Sequence, residues 1–298
     1  MELEGLFVPV VTIFKESDGA VDHARIAEHV RYLLGAGVDG LVALGSTGDF
    51  SALLPEEKEL VVKTVLQASA GKCPVVAGAT SLTTRECLEN AQKAESLGAA
   101  AVMIAPPFYL PLSDEEICQH FEAISRKLSI PIVLYNNPLC TGQNVTPALI
   151  ARLHQSIDLS YVKESSGNID AFQNILHRTD GRLRAFMGEE HLAFEALCLG
   201  AKGLIMGLGN GLPEVYRSLL RSTKDHQYDE ARSLHLRMLP LYEYAGRFHD
   251  FSYNSVVKSV MKLRGRGSVT HTRRPLLPLN AEQEKQLARI LAESGVAG

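Results

Sequence analysis

The sequence lacks three features that would place the protein in a membrane or outside the cell. No apolar run reaches the roughly 18 residues that a membrane-spanning helix needs. The N-terminus, Met1-Glu2-Leu3-Glu4, is acidic where a secretory signal peptide is basic. The five cysteines are odd in number, lie far apart and form no C-x-x-C pair, which is typical of reduced thiols inside a cell. We therefore expect a cytoplasmic protein that has no membrane partner.

The sequence also lacks the charge and ligand patterns of nucleic-acid-binding proteins and metalloproteins. Its formal net charge is -4 and no stripe of Lys and Arg is present, so a nucleic-acid partner is not expected. The ten histidines form neither an H-E-x-x-H motif nor a cluster at metal-ligand spacing, so no metal or organic cofactor is expected. Four arginines near the C-terminus are more typical of a solvated face or of ion pairs than of a phosphate site: Arg264, Arg266, Arg273 and Arg274.

The sequence does contain a regular alternation of short apolar runs and longer amphipathic segments, which continues to residue 212. The runs show no polar alternation, as is typical of parallel strands that are buried on both faces. An open doubly wound sheet could produce the same signals, but eight units favour a closed (β/α)8 TIM barrel. The predicted strands are Leu6–Ile13, Gly40–Leu44, Pro74–Gly78, Ala101–Ile104, Pro131–Tyr135, Leu159–Lys163, Arg184–Met187 and Gly203–Ile205.

Helical patterns replace the strands after residue 212, near residues 213–247, 250–264 and 281–294. We expect residues 1–212 to form the (β/α)8 barrel. Residues 213–298 are then expected to supply its last helix and a C-terminal helical extension, which packs on the barrel and is not an independent domain.

Two of the predicted strands end in residues that can do chemistry, and the C-terminal ends of strands carry the active site in a TIM barrel. Lys163 ends the sixth strand, where desolvation would favour the neutral amine that a Schiff base requires. It could equally reach out to water or pair with Glu164. Tyr135 ends the fifth strand, where its phenol could relay a proton or simply pack. Position alone leaves these alternatives open.

Two glycine-containing turns and a cysteine follow strands at the same predicted end of the barrel. Gly45-Ser46-Thr47-Gly48-Asp49 offers hydroxyl and backbone N–H groups to a carboxylate, although such a sequence also forms ordinary turns. The segment Gly207–Gly211 lacks the dinucleotide-binding pattern and indicates a close backbone approach at the mouth of the site. At Cys140, a packed thiol is a more typical role than a reactive one.

These segments together resemble those of the dihydrodipicolinate synthase and N-acetylneuraminate lyase superfamily. The likeness covers nearly the whole chain and depends on the order and spacing of its motifs. It implies a barrel lyase that forms a covalent Schiff base with a pyruvate-like 2-oxo acid and needs no other cofactor. The motifs are Val11-Thr12-Ile13-Phe14, Gly45-Ser46-Thr47-Gly48-Asp49, Tyr135-Asn136-Asn137-Pro138, Val162-Lys163-Glu164-Ser165-Ser166-Gly167 and Arg274-Pro275-Leu276-Leu277-Pro278-Leu279.

The resemblance also implies catalytic roles for individual residues. Lys163 matches the lysine that forms the Schiff base, and Tyr135 matches the tyrosine that relays protons. Ser46 and Thr47 match the pair that holds the substrate carboxylate and connects it to that tyrosine. Tyr109 matches a tyrosine that reaches across a dimer interface into the neighbouring site. We therefore expect a homotetramer, arranged as a dimer of dimers.

Further residues are expected to line the substrate pocket or to set its specificity. Ile205 matches a pocket residue on the family's eighth strand. Glu189 and Glu190 could bind substrate hydroxyls or could lie in a solvated loop. The expected substrate-binding residues are Ser46, Thr47, Gly48, Cys140, Gly188 and Ile205, and specificity is expected around Cys140, Asn168, Gly188, Glu189 and Gly207–Asn210.

Two departures from the superfamily pattern bear on the choice of substrate. Dihydrodipicolinate synthases carry an arginine that binds the carboxylate of their second substrate, and Cys140 stands in its place. Because a thiol cannot form a bidentate clamp on a carboxylate, a role in lysine biosynthesis is not expected. The stretch Leu139-Cys140-Thr141-Gly142 is more similar to the lyases and the sugar acid aldolases. The second departure is Asp49, which replaces the usual glutamate and is expected to alter the hydrogen bonds of its loop.

The sequence therefore predicts aldol cleavage or condensation of a hydroxylated 2-oxo acid, with pyruvate as product or substrate. A 2-keto-3-deoxy sugar acid or a sialic-acid-like molecule would fit this chemistry. The same enamine could instead expel hydroxide or ammonia, so a sugar acid dehydratase or a hydroxypyrroline carboxylate deaminase is an alternative. Dihydrodipicolinate synthase activity without the arginine is another. A non-catalytic 2-oxo acid sensor would not need both Tyr135 and Lys163.

Overall fold

Within residues 2–267 and 269–296, which the computed structural model describes, eight parallel strands pair in sequence order. The first strand also pairs with the eighth, so the sheet closes into the predicted (β/α)8 barrel. The strands are β1 (Gly5–Pro9), β2 (Gly40–Ala43), β3 (Val75–Gly78), β4 (Ala101–Ile104), β5 (Ile132–Asn136), β6 (Tyr161–Glu164), β7 (Arg184–Met187) and β8 (Gly203–Ile205).

Helices connect successive strands and surround the sheet. They start at residues that favour helix N-termini, as at Ser113, whose hydroxyl accepts a hydrogen bond from the backbone of Glu116 in a capping box. The helices are α1 (His23–Gly35), α2 (Pro55–Ser69), α3 (Thr84–Ser96), α4 (Asp114–Ser125), α5 (Pro138–Thr141), α6 (Pro147–Ile157), α7 (Ile169–Arg178), α8 (Ala193–Cys198), α9 (Pro213–Lys224), α10 (Tyr228–Ala245), α11 (Tyr253–Leu263) and α12 (Ala281–Glu293).

The interior of the barrel is filled by side chains and is not a channel. Phe7 on β1 and Phe186 on β7 meet edge to face, with their ring centroids 5.4 Å apart. Gly40 on β2 makes room for this packing, because a Cβ atom there would lie 2.1 Å from the Phe7 ring. The filled lower barrel leaves the C-terminal ends of the strands as the place where a ligand can enter.

The first strand is shorter than predicted, and the second ends one residue early. Residues 10–13 are buried, as a strand would be, and only Thr12 among them is polar. The Val10 N–H still donates to the Val42 carbonyl on β2 at 2.9 Å, but the next backbone groups bond elsewhere. The Val11 N–H donates to the Asn210 side chain at 3.2 Å, and the Ile13 carbonyl accepts from Asp22 N–H at 2.8 Å. Leu44 has a φ of 59°, which is incompatible with a continuing strand.

The C-terminal helices approach the same end of the barrel as the predicted site residues. The helical pattern near 213–247 is in fact two helices, α9 and α10, because His226 takes a left-handed φ of 59° between them. Helix α11 contacts two 3₁₀ turns, Ser46–Gly48 after β2 and Gly207–Asn210 after β8. Among the described residues, no helix is long and apolar enough to cross a membrane.

Two buried histidines are expected to make the protein sensitive to acid. Burial lowers the pKa of both His29 and His120 from 6.5 to about 4. His29 Nε2 lies 2.9 Å from Asn210 Oδ1, and His120 Nδ1 lies 2.9 Å from Thr84 Oγ1. Since the unfolded chain binds these protons first, the stabilisation is present above pH 6.5 and is lost as the pH falls towards 4. Each histidine should contribute about 3 kcal/mol to this loss.

Urea unfolding at several pH values between 7.5 and 4.5 measures this effect. The His120→Gln variant should show a weaker dependence of its unfolding free energy on pH than the original protein. The exposed His249 provides the matched control, and His249→Gln should leave the dependence unchanged. An identical pH dependence in all three proteins would contradict the prediction.

Candidate active site

Lys163 lies on β6 inside the mouth of the barrel and is only 5% exposed. Strand pairing places it between Tyr135 on β5 and Phe186 on β7. Its Nζ atom stands 4.2 Å from the centroid of the Tyr135 ring. The neighbouring Glu164 points elsewhere, since its carboxylate accepts from Asn136 Nδ2 at 2.9 Å and from the Ser166 N–H at 2.7 Å. The amine therefore faces the barrel mouth, where a ligand can reach it.

The hydroxyl group of Tyr135 connects this lysine to the turn after β2. Its oxygen accepts a hydrogen bond from Asn137 Nδ2 at 2.6 Å and lies 3.4 Å from Ser46 Oγ, which also donates to it. Because the Tyr135 oxygen is the acceptor in both hydrogen bonds, its phenolic proton is free to be donated to a ligand. Asn137 was not singled out in the sequence, although it lies two residues from Tyr135 in the same motif.

The turn after β2, which we call the Ser46–Asp49 turn, follows one left-handed residue and ends with another. Leu44, just before the turn, has a φ of 59°, and Asp49 has a φ of 53°. Ser46 is half-buried, whereas Thr47 and Gly48 are buried. The Gly48 carbonyl accepts from Thr12 Oγ1 at 2.6 Å. The Ser46 and Thr47 N–H groups begin this short helical turn and have no acceptor within it, which leaves them available to an anion.

Gly188 follows β7 and leaves the space that Lys163 occupies. A Cβ atom at this position would lie 2.6 Å from Lys163 Cε and 2.0 Å from Ser165 Oγ. We therefore expect Gly188→Ala to displace the lysine and lower kcat by about a hundredfold, the scale of a displacement of about 1 Å. Steady-state kinetics measures the loss. Gly35→Ala is the control, because nothing lies within 4 Å of the added methyl group. Equal kcat values for the two variants would contradict the prediction.

Cys140 is placed at the rim of the same mouth, in the short helix α5. Partial burial raises the pKa of its thiol, while the charge of Lys163 and a hydrogen bond with Ser46 act in the opposite direction. The structure thus brings Cys140 next to Ser46 and within the electrostatic reach of Lys163. The thiol is in its neutral form at pH 7, so it offers a ligand a small and weakly polar surface.

Two consecutive glutamates after β7 have different surroundings. Glu190 is buried, and its Oε1 accepts from Leu208 N–H at 3.3 Å and from the Tyr253 hydroxyl. Glu189 is partly open at the rim, and burial together with the charge of Glu190 raises its pKa to about 8. The expectation of a solvated loop is therefore wrong for Glu190. Glu189 therefore holds its proton to a higher pH than an ordinary glutamate, and in that form it can donate a hydrogen bond.

Two other predicted positions, Ile205 and Tyr109, differ in their exposure to solvent. Ile205 is buried in the barrel interior, in the same apolar cluster as Tyr135 and Phe186. Tyr109 is 81% exposed in a loop after β4. Leu110, next to it, is also exposed.

The expected specificity residues Asn168 and Asn210 are occupied by structural hydrogen bonds. Asn168 Oδ1 caps α7 by accepting from the N–H groups of Asp170 and Ala171. The Asn210 side chain is fully buried and bonds Val11, His29 and two backbone carbonyls. Gly207 makes room for the protein itself, because a Cβ atom there would lie 2.3 Å from the Tyr253 hydroxyl oxygen. The expectation that these positions select substrate is therefore not supported by their contacts.

The structure adds two residues from the C-terminal helix α11 that sequence reasoning missed. Asn254 Nδ2 donates to the Ser46 carbonyl at 3.0 Å and also contacts Asp49. Lys258 Nζ donates to Asp49 Oδ2 at 2.6 Å. Asp49 stands out in the sequence as a departure from the superfamily pattern, but nothing local in the sequence connects it with residues more than 200 positions away. In the described part of the chain, no group of three or more His, Cys, Asp or Glu side chains could hold a metal ion.

Comparisons with known proteins find the same family over nearly the whole chain. A model of the Dihydrodipicolinate synthetase family matches residues 2–294. The 4-hydroxy-tetrahydrodipicolinate synthase of Geobacter metallireducens is 33% identical over 97% of this chain and 98% of that protein. The protein of the same name from Archaeoglobus fulgidus is 35% identical over 97% of each.

Solved structures give the same result. YagE of Escherichia coli K12, a dihydrodipicolinic acid synthase family protein crystallised with pyruvate, superimposes with a TM-score of 0.94 at 29% identity and covers 100% of both chains. Dihydrodipicolinate synthase from Thermotoga maritima gives a TM-score of 0.93 at 29% identity, over 99% of this chain and 100% of that one.

Proposed function

This chain belongs to the dihydrodipicolinate synthetase family and is a carbon–carbon lyase of the aldolase type, and we propose that it cleaves or forms a hydroxylated 2-oxo acid through a Schiff base on Lys163. The observation that carries the proposal is the position of Lys163 Nζ, 4.2 Å from the centroid of the Tyr135 ring at the mouth of the barrel. An amine and a phenol are the two groups that imine formation and proton transfer require.

In the proposed cleavage, Lys163 Nζ attacks the keto carbon and water leaves, which forms an iminium. Tyr135 gives its phenolic proton to the departing water, and the phenolate then takes the proton of the hydroxyl on C4 as the C3–C4 bond breaks. The electron pair of that bond moves into the iminium, so an aldehyde departs and a pyruvate enamine remains. Protonation of C3 and hydrolysis then release pyruvate and the free lysine. Condensation is the same sequence in reverse.

The Ser46–Asp49 turn is the proposed site of the substrate carboxylate. Ser46 and Thr47 contribute the first amides of the 3₁₀ turn, which have no acceptor within the turn itself. Ser46 Oγ lies 3.4 Å from the Tyr135 hydroxyl oxygen, so a carboxylate bound here would sit beside the proton-relaying group. The keto carbon next to that carboxylate would then face Lys163.

The rim of the site favours a substrate whose far end is hydroxylated over one that carries a second carboxylate. Cys140 offers no positive charge, and Glu190 places a carboxylate within electrostatic reach of Glu189. Glu189, whose pKa is raised to about 8, is a hydrogen-bond donor at neutral pH and could bind a hydroxyl or an aldehyde oxygen. We therefore propose a 2-keto-3-deoxy sugar acid or a sialic-acid-like molecule as the substrate class.

Two other reactions fit the same lysine. The names of the relatives favour 4-hydroxy-tetrahydrodipicolinate synthase activity, which Cys140 disfavours. Glu189, as a protonated acid at the rim, could instead help a leaving hydroxyl depart, which favours elimination by a dehydratase. Tyr109, exposed on its own chain, is proposed to complete the site of a second copy in a homotetramer.

The first test is sodium borohydride reduction in the presence of pyruvate, followed by intact mass measurement and peptide mapping. A reduced pyruvyl group on Lys163 is the expected result, and an unmodified protein after treatment with pyruvate and with bulkier 2-oxo acids would refute the Schiff base. Product analysis with sugar acids then separates the reactions. An aldolase yields pyruvate and an aldehyde, whereas an elimination keeps the carbon skeleton intact.

A further inference from the structure

Asp49 and Lys258 form an ion pair that is almost completely removed from water. Their side chains are 1% and 0% exposed, and Lys258 Nζ lies 2.6 Å from Asp49 Oδ2. The same amine donates to the His271 carbonyl at 3.2 Å and stands 4.7 Å from the centroid of the Phe14 ring. Burial of two charges is costly unless their geometry and hydrogen bonds compensate. The pair therefore fixes Asp49 firmly against helix α11.

Asn254 lies four residues before Lys258 on α11 and contacts the Ser46–Asp49 turn at two points. Its Nδ2 atom donates to the Ser46 carbonyl at 3.0 Å and contacts the other carboxylate oxygen of Asp49. Together, the two α11 side chains contact the first residue of the Ser46–Asp49 turn and the last. Asp49 keeps its left-handed φ of 53° between these contacts. Aspartate tolerates this conformation better than most residues.

From these contacts we infer that Asn254 and Lys258 are positioning residues, through which the C-terminal extension holds the Ser46–Asp49 turn in the conformation that binds the substrate carboxylate. The inference rests on the proposed function, since it concerns the same carboxylate site. Within the described residues, the side-chain hydrogen bonds of Asn254 and Lys258 go to the turn and to His271, and none goes to Lys163 or Tyr135, so their effect on the reaction must pass through the turn.

The turn is sensitive to such support because its own bonds are few. Within it, the Gly48 N–H donates to Gly45 and the Asp49 N–H donates to Ser46, at 2.9 and 3.1 Å. A hydrogen bond to Ser46 therefore orients the peptide group that precedes Thr47. If that peptide rotates, the amides and the Ser46 hydroxyl leave the arrangement that a carboxylate requires, and pyruvate affinity falls.

The test uses Asn254, because its half-buried side chain can be changed with less risk to folding than the buried Lys258. Asn254→Ala removes both contacts, and Asn254→Asp keeps the shape but replaces the donor with an acceptor that repels Asp49. The pyruvate concentration for half-maximal borohydride trapping on Lys163 is measured for each. We expect it to rise about ten- to hundredfold in both variants, while trapping at saturating pyruvate stays within a few-fold of the original.

Lys262→Met supplies a matched control on the same helix. Lys262 pairs with Glu284 of α12 at the surface and not with the Ser46–Asp49 turn, so its loss should leave pyruvate dependence unchanged. If Asn254→Asp behaves like the original protein, the side chain matters only for its bulk and the inference is wrong. The same holds if Asn254→Ala leaves the half-saturating pyruvate concentration unchanged.

Amide hydrogen exchange tests the inference without any ligand. Peptides that cover residues 45–52 should exchange faster in Asn254→Ala than in the original protein or in Lys262→Met, while barrel strands keep their protection. If the original protein forms no adduct with any 2-oxo acid, the proposed function fails, and the exchange data alone decide the inference. Unchanged exchange in residues 45–52 would then overturn it.

Discussion

Lys163→Ala is expected to lose catalysis by about 10⁴-fold or more, the scale on which enzymes respond to removal of a covalent nucleophile. No other amine is expected to substitute, because strand pairing places Lys163 at the barrel mouth between Tyr135 and Phe186. The variant should also give no borohydride adduct with pyruvate. Steady-state kinetics with a sugar acid that the original protein cleaves measures the loss of turnover. Intact mass spectrometry measures the loss of the adduct.

The control for this variant is Lys202→Ala. Lys202 is an exposed lysine just before β8, at the opposite end of the barrel, and its loss should leave both activity and adduct formation unchanged. Thermal unfolding of both variants shows whether each is folded. Substantial turnover by a folded Lys163→Ala protein would eliminate the Schiff base and with it the proposed mechanism.

The barrel could be predicted from the sequence because its signals are local. Most strands are short apolar runs, and the sequence Leu-Gly-Ala recurs at the C-terminal ends of the helices before β2, β4 and β8. The predicted end of β1 is wrong because a side chain from a distant segment forms the hydrogen bond that a neighbouring strand would otherwise form. Val11 looks like a strand residue in the sequence, but its N–H bonds Asn210, which is 199 positions away.

The candidate site could be predicted only in part, for the same physical reason. Lys163 and Tyr135 are marked by their place at the ends of apolar strands, and the structure brings both to the barrel mouth with Ser46. Asn254 and Lys258 do not lie at the end of an apolar strand. They lie in an amphipathic helix whose sequence would suit a surface position, and only the closed fold brings them to Asp49.

Lys258→Met is expected to destabilise the protein by about 3–5 kcal/mol, the usual cost of leaving one charge of a buried pair without its partner. Burial lowers the pKa of Lys258, and the charge of Asp49 together with its hydrogen bond to the amine opposes that shift. Methionine fills the same space but leaves the Asp49 carboxylate charged, with Asn254 and the electrostatic attraction of Arg273 in place of its ion pair. Urea unfolding followed by circular dichroism measures the loss.

Two further variants show whether the loss comes from the unpaired charge. Lys262→Met breaks an exposed pair on the same helix and should cost less than about 1 kcal/mol. The double variant Asp49→Asn/Lys258→Met removes both charges and should regain part of the stability, because no charge is then left buried alone. If Lys258→Met and Lys262→Met unfold at the same urea concentration, the buried pair does not stabilise the fold. The role of the Asp49–Lys258 pair would then be limited to positioning the Ser46–Asp49 turn.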